Sequence, residues 1–236
     1  VPVSYRVADV LPWVENTLRW THQADPQAQL HINEFHTLSK QAMRQRYIEL
    51  VRSLQARKAP LHGLGIQAHE PREMWFATPE IVAAFDQLGA LGLPLHITEF
   101  TPQSNGKPIT GGWREGSWTE AAQADFAEQF YTLAFGHPAV ASIHWWGLSE
   151  KSIWLPGGGL LDARMQPKPA YARLRKLIRQ DWMTRGLQLR TDAGGSAAFR
   201  GSYGRYALTL TRADGVSKSV QLHLSPGQHS WLTIEW

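Results

Sequence analysis

Apolar positions along the chain follow two alternating periods. Over residues 8–22, Val10, Leu11, Val14 and Leu18 recur at helical spacing with Trp20 near the end, and Ala24-Asp25-Pro26 closes the segment. Residues 29–35 then read as a strand that ends on polar groups. Met43, Tyr47, Leu50, Val51 and Leu54 mark a second helix, followed by an extended stretch over residues 61–69 with polar residues at its exit. The same order recurs twice. A helix over 81–91 precedes Pro94-Leu95-His96-Ile97-Thr98-Glu99-Phe100, and a helix over 121–135 precedes Val140-Ala141-Ser142-Ile143-His144-Trp145-Trp146. A last helix covers 171–178. Strands alternating with helices of about ten residues or more predict parallel βαβ units.

Each strand finishes on side chains suited to chemistry: Asn33 with Glu34, Gln67 with His69, Glu99, and Trp146. A lone glutamate at a loop edge is more often a solvated or paired residue. Four such endings on consecutive units instead fit a barrel whose strand ends surround one concave site.

The texture changes after Trp182. Tyr206, Leu208 and Leu210 alternate cleanly, as do Val220, Leu222 and Leu224, and Ala193-Gly194-Gly195, Ala213-Asp214-Gly215 and Pro226-Gly227 separate the short runs. Residues 184–236 therefore read as a small antiparallel, β-sandwich-like module behind a first domain over 1–183. At this size the module is expected to lean on its neighbour for stability. Its Trp231 and Trp236 suit either core or surface, and a structural role is favoured over glycan binding.

Composition narrows the picture. With 236 residues, 43% of them apolar, the chain can bury a sizeable core, and its net charge of +4 is scattered rather than gathered into a stripe, so no nucleic-acid partner is expected. Without cysteine there is neither a disulfide framework nor a thiolate metal site, and no His-x-x-x-His pair suggests zinc, so no metal or cofactor is expected. No run approaches the roughly 18 apolar residues of a membrane span, so no membrane partner is expected. The start, Val1-Pro2-Val3, lacks an initiator Met, which leaves a targeting segment open. Pro156-Gly157-Gly158-Gly159 reads as a flexible turn near the cleft, Glu15 as a solvated helix residue, and Trp145 as core.

Taken together, the strand ends resemble glycoside hydrolase family 10, the retaining endo-β-1,4-xylanases, over roughly residues 9–180. His31-Ile32-Asn33-Glu34-Phe35 looks like the family's Tyr-Asn-Asp-Tyr strand end, with Glu34 for Asp and Phe35 for Tyr. Gly63-Leu64-Gly65-Ile66-Gln67-Ala68-His69 is similar to Gly-Ile-Gly-x-Gln-x-His, and Ile97-Thr98-Glu99-Phe100 to Ile-Thr-Glu-Leu. The stretch from Trp146 to Trp154 looks like the Trp-Gly-x-Ser-Asp-Lys-Tyr-Ser-Trp loop, with Glu150 for Asp and the central Tyr-Ser replaced by Ser152-Ile153, and Gln166-Pro167-Lys168-Pro169-Ala170-Tyr171 repeats the closing element.

The resemblance implies a (β/α)8 TIM barrel of which this chain supplies about the last four βα units. It implies xylan and xylo-oligosaccharides as substrates, Glu99 as nucleophile and His69 as its hydrogen-bond partner. Asn33 and Gln67 would donate near the sugar or the acids, and Trp146 and Trp154 would wall the cleavage point. The family's general acid/base stands in an Asn-Glu pair before the strand of Asn33, whereas residues 1–23 offer only Glu15-Asn16 in a helical pattern. The acid/base and the N-terminal half of the barrel are therefore expected outside these residues, with Glu34 the first substitute within them. Secretion or a periplasmic location also follows from the resemblance alone. A non-catalytic carbohydrate-binding relative and a retaining hydrolase of another β-glycan are the competing functions.

Overall fold

The computed structural model describes residues 5–70, 72–227 and 231–235. Trp236 lies outside them. The chain divides into two compact units, Val1–Leu174 and Arg175–Trp236, a division falling within the last helix and earlier than the one read from the sequence.

The first unit runs α1 (Val7–Ala24), β1 (His31–Glu34), α2 (Gln41–Ala56), β2 (Gly63–Ile66), α3 (Thr78–Gly89), β3 (Leu95–Phe100), α4 (Glu120–Gly136) and β4 (Val140–Trp145), then enters α5 (Pro169–Lys176). All four strands are parallel and adjacent in chain order, β1-β2-β3-β4. Successive parallel strands require a crossover, and α2, α3 and α4 provide them. Their apolar stripes explain the packing: Tyr47, Val51 and Leu54 of α2, Ala84, Phe85 and Leu88 of α3, and Phe126 and Phe130 of α4 are buried with Leu64, Ile66, Leu95 and Ile97 of the sheet. Tyr47 fastens α2 to two strands, its hydroxyl lying 2.8 Å from the Ile32 carbonyl and 3.1 Å from that of Gly65.

The opposite sheet face is polar. It carries His31 and Asn33 from β1 and His96 and Thr98 from β3, while β2 contributes only Gly63 and Gly65. Those glycines answer to close approach. A Cβ at Gly63 would stand 2.8 Å from the His31 ring, and one at Gly65 would stand 2.5 Å from Asn33 Oδ1. Side chains from β1 therefore lean across β2, and His31 stacks on His96 with ring centroids 4.3 Å apart.

Register breaks in β3. Ile97 pairs with Ile143 but Phe100 with Trp145, so three steps along β3 match two along β4. The extra residue is a β-bulge, which re-aims the side chains beside it. Phe100 stays in the helix-side core, stacked 4.4 Å from Phe130, while Thr98 and Glu99 both turn to the polar face. Simple alternation would have sent Glu99 toward the helices with Leu95 and Ile97.

In the second unit, β5 (Gly204–Thr211) and β6 (Ser217–Leu224) form one antiparallel hairpin in register from Gly204↔Leu224 to Thr211↔Ser217. Gly215, at φ 86°, makes the tight turn that a residue with a Cβ resists. Tyr206, Leu208, Leu210, Val220, Leu222 and Leu224 share one half-buried face, as their alternation predicts. Among the described residues this hairpin is the unit's only sheet, and Trp231 is exposed. No described helix is long and apolar enough to cross a membrane.

Candidate active site

Glu99 is the centre of a hydrogen-bonded cluster at the carboxyl ends of β1, β2 and β3. Its Oε2 lies 2.6 Å from His69 Nε2, and its Oε1 accepts from Asn33 Nδ2 at 3.2 Å. Asn33 is oriented in turn, because its Oδ1 accepts the Thr98 hydroxyl at 3.0 Å and so turns the amide nitrogen toward the carboxylate. His69 is fixed from its other side, where Nδ1 lies 3.2 Å from the Thr101 hydroxyl oxygen. That hydroxyl also lies 2.9 Å from the Glu99 carbonyl and 3.3 Å from that of Trp146, so it links the ring to the ends of β3 and β4. The short His69–Glu99 contact is a hydrogen bond in which the ring Nε2–H donates to the carboxylate. Both side chains are largely shielded, at 12% and 19% exposed, which strengthens the pair relative to one in water.

The backbone around His69 is strained. Ala68 is buried at φ 59°, a left-handed conformation of order 1 kcal/mol or more for a residue with a Cβ. Its carbonyl accepts the Thr101 N–H at 3.3 Å, tying the exit of β2 to that of β3 and setting His69 beside Glu99.

Two indoles stand over this cluster. Trp146 and Trp154 are 46% and 57% exposed, and each meets the His69 ring edge-on, at centroid distances of 6.4 and 5.2 Å. An exposed ring face fits the C–H face of a sugar while its edge stays wet. Gln67 lines a small cleft of about 180 Å³ with His69, Trp154 and Arg72. Trp145, by contrast, is structural: its Nε1 donates to the Gly158 carbonyl at 2.9 Å and its ring meets Phe100 edge-on at 5.4 Å.

The loop holding Trp154 is not a flexible turn. Glu150 accepts the N–H groups of Gly157 and Gly159, both at 2.9 Å. Buried Lys168 binds Glu150 Oε1 at 2.7 Å, Ser104 Oγ at 2.9 Å and the Gly157 carbonyl at 3.1 Å. The glycines serve close packing here, since a Cβ at Gly157, Gly158 or Gly159 would lie 2.7, 2.6 or 2.6 Å from its nearest neighbour. Glu150 and Lys168 thus form an internal clamp whose role the motif match did not reveal.

Two further expectations are corrected. Glu34 follows Asn33 on a strand and so faces the helix side, where its Oε1 accepts the Phe35 N–H at 2.9 Å. It lies beside the Tyr5 hydroxyl, whose pKa burial chiefly, and this carboxylate next, push well up. It is not positioned to replace an acid at the Glu99 cluster. Glu15 is paired rather than solvated: Arg19 and Arg57 bind it at 2.9 and 3.1 Å, and Arg19 above all holds its carboxyl below the usual range. Among the described residues no cluster of three or more His, Asp or Glu side chains suits a metal ion.

A sequence profile of glycosyl hydrolase family 10 matches residues 10–177. The chain belongs to glycosyl hydrolase family 10. It is 31% identical over 198 residues to endo-1,4-beta-xylanase 1 of Arabidopsis thaliana, covering 83% of this chain and 19% of that protein. To endo-1,4-beta-xylanase B of Thermotoga neapolitana it is 26% identical over 176 residues, covering 71% of this chain and 49% of that one. Among solved structures, a mutant of the intracellular xylanase TsXylA of Thermoanaerobacterium saccharolyticum in complex with xylotetraose superposes with a TM-score of 0.57 at 25% identity. That match covers 69% of this chain and 48% of the other. The chain thus spans about half the length of these bacterial relatives, or less for the plant one. The family fold is a (β/α)8 barrel, and these residues cover part of it.

Proposed function

We propose that this chain carries the nucleophile side of a retaining endo-1,4-β-xylanase. The observation that carries the reading is the Glu99 carboxylate, aimed by a β-bulge at the open face, gripped by His69 and Asn33, and flanked by two exposed indoles. In this reaction a Glu99 oxygen attacks the anomeric carbon as the glycosidic C–O bond breaks, and the departing oxygen takes a proton from a second carboxyl group. Water then cleaves the glycosyl ester, returning its proton to that second group, and the sugar leaves with its configuration retained. The two carboxyl groups must stand about 5–5.5 Å apart. The hydrogen-bonded cluster described here holds one, so the proposal assigns the acid/base, with the remaining barrel units, to residues beyond these 236. That assignment agrees with the chain covering about half of its bacterial relatives.

His69 and Asn33 stabilise the anion in the ground state and yield it along a fixed line of attack, while Trp146 and Trp154 seat the pyranose. The xylo-oligosaccharide in the TsXylA complex supports a xylan chain as ligand. In the protein that joins this chain to its acid/base, Glu99→Gln should lower xylan hydrolysis at least about 10³-fold, about 4 kcal/mol of barrier, and keep xylotetraose binding. Retained hydrolysis would refute the assignment. The competing reading, a carbohydrate-binding protein without catalysis, draws on the single carboxylate in the cluster. It predicts binding and no hydrolysis by the unsubstituted protein.

A further inference from the structure

Arg72 stands in the cleft beside the Glu99 cluster and nothing assigned so far uses it. Its guanidinium carbon lies 5.1 Å from the centre of the Trp154 ring, over the indole proposed to seat sugar. Among the described residues it makes no hydrogen bond and no ion pair, so none of its five N–H donors is spent on them. The cleft it lines, about 180 Å³, also takes in Gln67, His69 and Glu70. Glu70 does not neutralise it. That carboxylate is buried, its Oε1 accepts the Ser39 N–H at 2.7 Å, and it forms no ion pair with Arg72.

A cation over a ring face is held by the ring's charge distribution, which orients the guanidinium without consuming its donors. Such a fork matches a carboxylate, two oxygens to two N–H groups, far better than it matches sugar hydroxyls. Because Arg72 lies over Trp154 and lines the same cleft, an anion received there stands beside a sugar seated at that ring. We infer that Arg72 receives the carboxylate of an acidic sugar branch, a uronic acid, carried on the glycan in this cleft. The inference rests on the cleft being the glycan site proposed above and adds a preference within it.

Titration calorimetry on the protein, comparing neutral xylotetraose with a xylo-oligosaccharide of the same backbone length bearing one glucuronic acid branch, tests it. The acidic ligand should bind about 5- to 30-fold more tightly, the range expected of a charge-assisted pair in a half-open cleft. That ratio should shrink between about 0.02 M and about 0.2 M salt as screening grows. In Arg72→Gln the ratio should approach one, and Arg72→Lys, a point charge without the fork, should fall between. A ratio near one in the unsubstituted protein, or an unchanged ratio in Arg72→Gln, overturns the inference and leaves the xylan reading standing. Failure of the unsubstituted protein to bind either ligand overturns the xylan reading, and this inference with it.

Discussion

Replacing Lys168 by Met removes the ammonium that clamps the Trp154 loop and leaves a stem of similar length. Three contacts go, to Glu150 at 2.7 Å, Ser104 at 2.9 Å and the Gly157 carbonyl at 3.1 Å. Breaking a buried ion pair by deleting one partner costs about 3–5 kcal/mol, most of it from the stranded charge. Glu150 is less stranded than that. Its side chain is 20% exposed, against 2% for Lys168, and it keeps the N–H groups of Gly157 and Gly159. We therefore expect about 2–3 kcal/mol, the low end of that range or just below it. For a domain of this size that lowers Tm by about 5–10 °C, which thermal unfolding followed by circular dichroism reads directly. The double variant Lys168→Met, Glu150→Met should lose less than the sum of the two single changes, because the second removes the charge the first orphaned. Acrylamide should also quench Trp154 more readily in Lys168→Met, judged by the signal lost on Trp154→Phe. A Tm shift below about 1 °C, or strictly additive losses, would refute the clamp.

Gly65→Ala places a Cβ 2.5 Å from Asn33 Oδ1 and should push that amide off Glu99, cutting turnover about 10- to 100-fold, the worth of one hydrogen bond to a charged group. Full turnover would show that Asn33 does not matter to the nucleophile. Phe100→Ala empties a fully buried site against Phe130, Phe126 and Trp145 and should cost about 3–5 kcal/mol by denaturant unfolding; a loss under about 1 kcal/mol would contradict the packing. His31 and His96 are held below their ordinary value of 6.5, first by burial and then by neighbouring histidines. The unfolded chain therefore binds protons on these rings before the folded one does. Stability should be full above about pH 7 and fall as pH drops through 6.5 toward the lower folded values. Replacing both rings by Asn should flatten that part of the pH–stability curve, and an unchanged slope would exclude the pair.

Much of this was legible from local pattern. The stripe Met43, Tyr47, Leu50, Val51 and Leu54 fixed both the span and the buried face of α2, and the polar strand ends placed Asn33, His69 and Glu99 where the structure brings them together. The order of motifs carried the family. What pattern could not carry depends on contacts distant in sequence. Alternation in β3 gave no sign of the bulge that turns Glu99 to the polar face, because a bulge is defined by the partner strand. Three consecutive glycines look like freedom, yet at 157–159 they answer to neighbours under 3 Å away. Glu34 shared a strand end with Asn33, but adjacent strand residues face opposite ways. Arg72 belongs to no motif, and its place over Trp154 exists only in the folded chain.

In the proposed reaction Glu99 attacks the anomeric carbon. Incubating the catalytically active protein with a 2-fluoro-xylobioside inactivator, followed by proteolysis and mass spectrometry, reads the attacked residue directly. A single glycosyl adduct on the Glu99 carboxylate is the expected result. An adduct on any other carboxylate would contradict it.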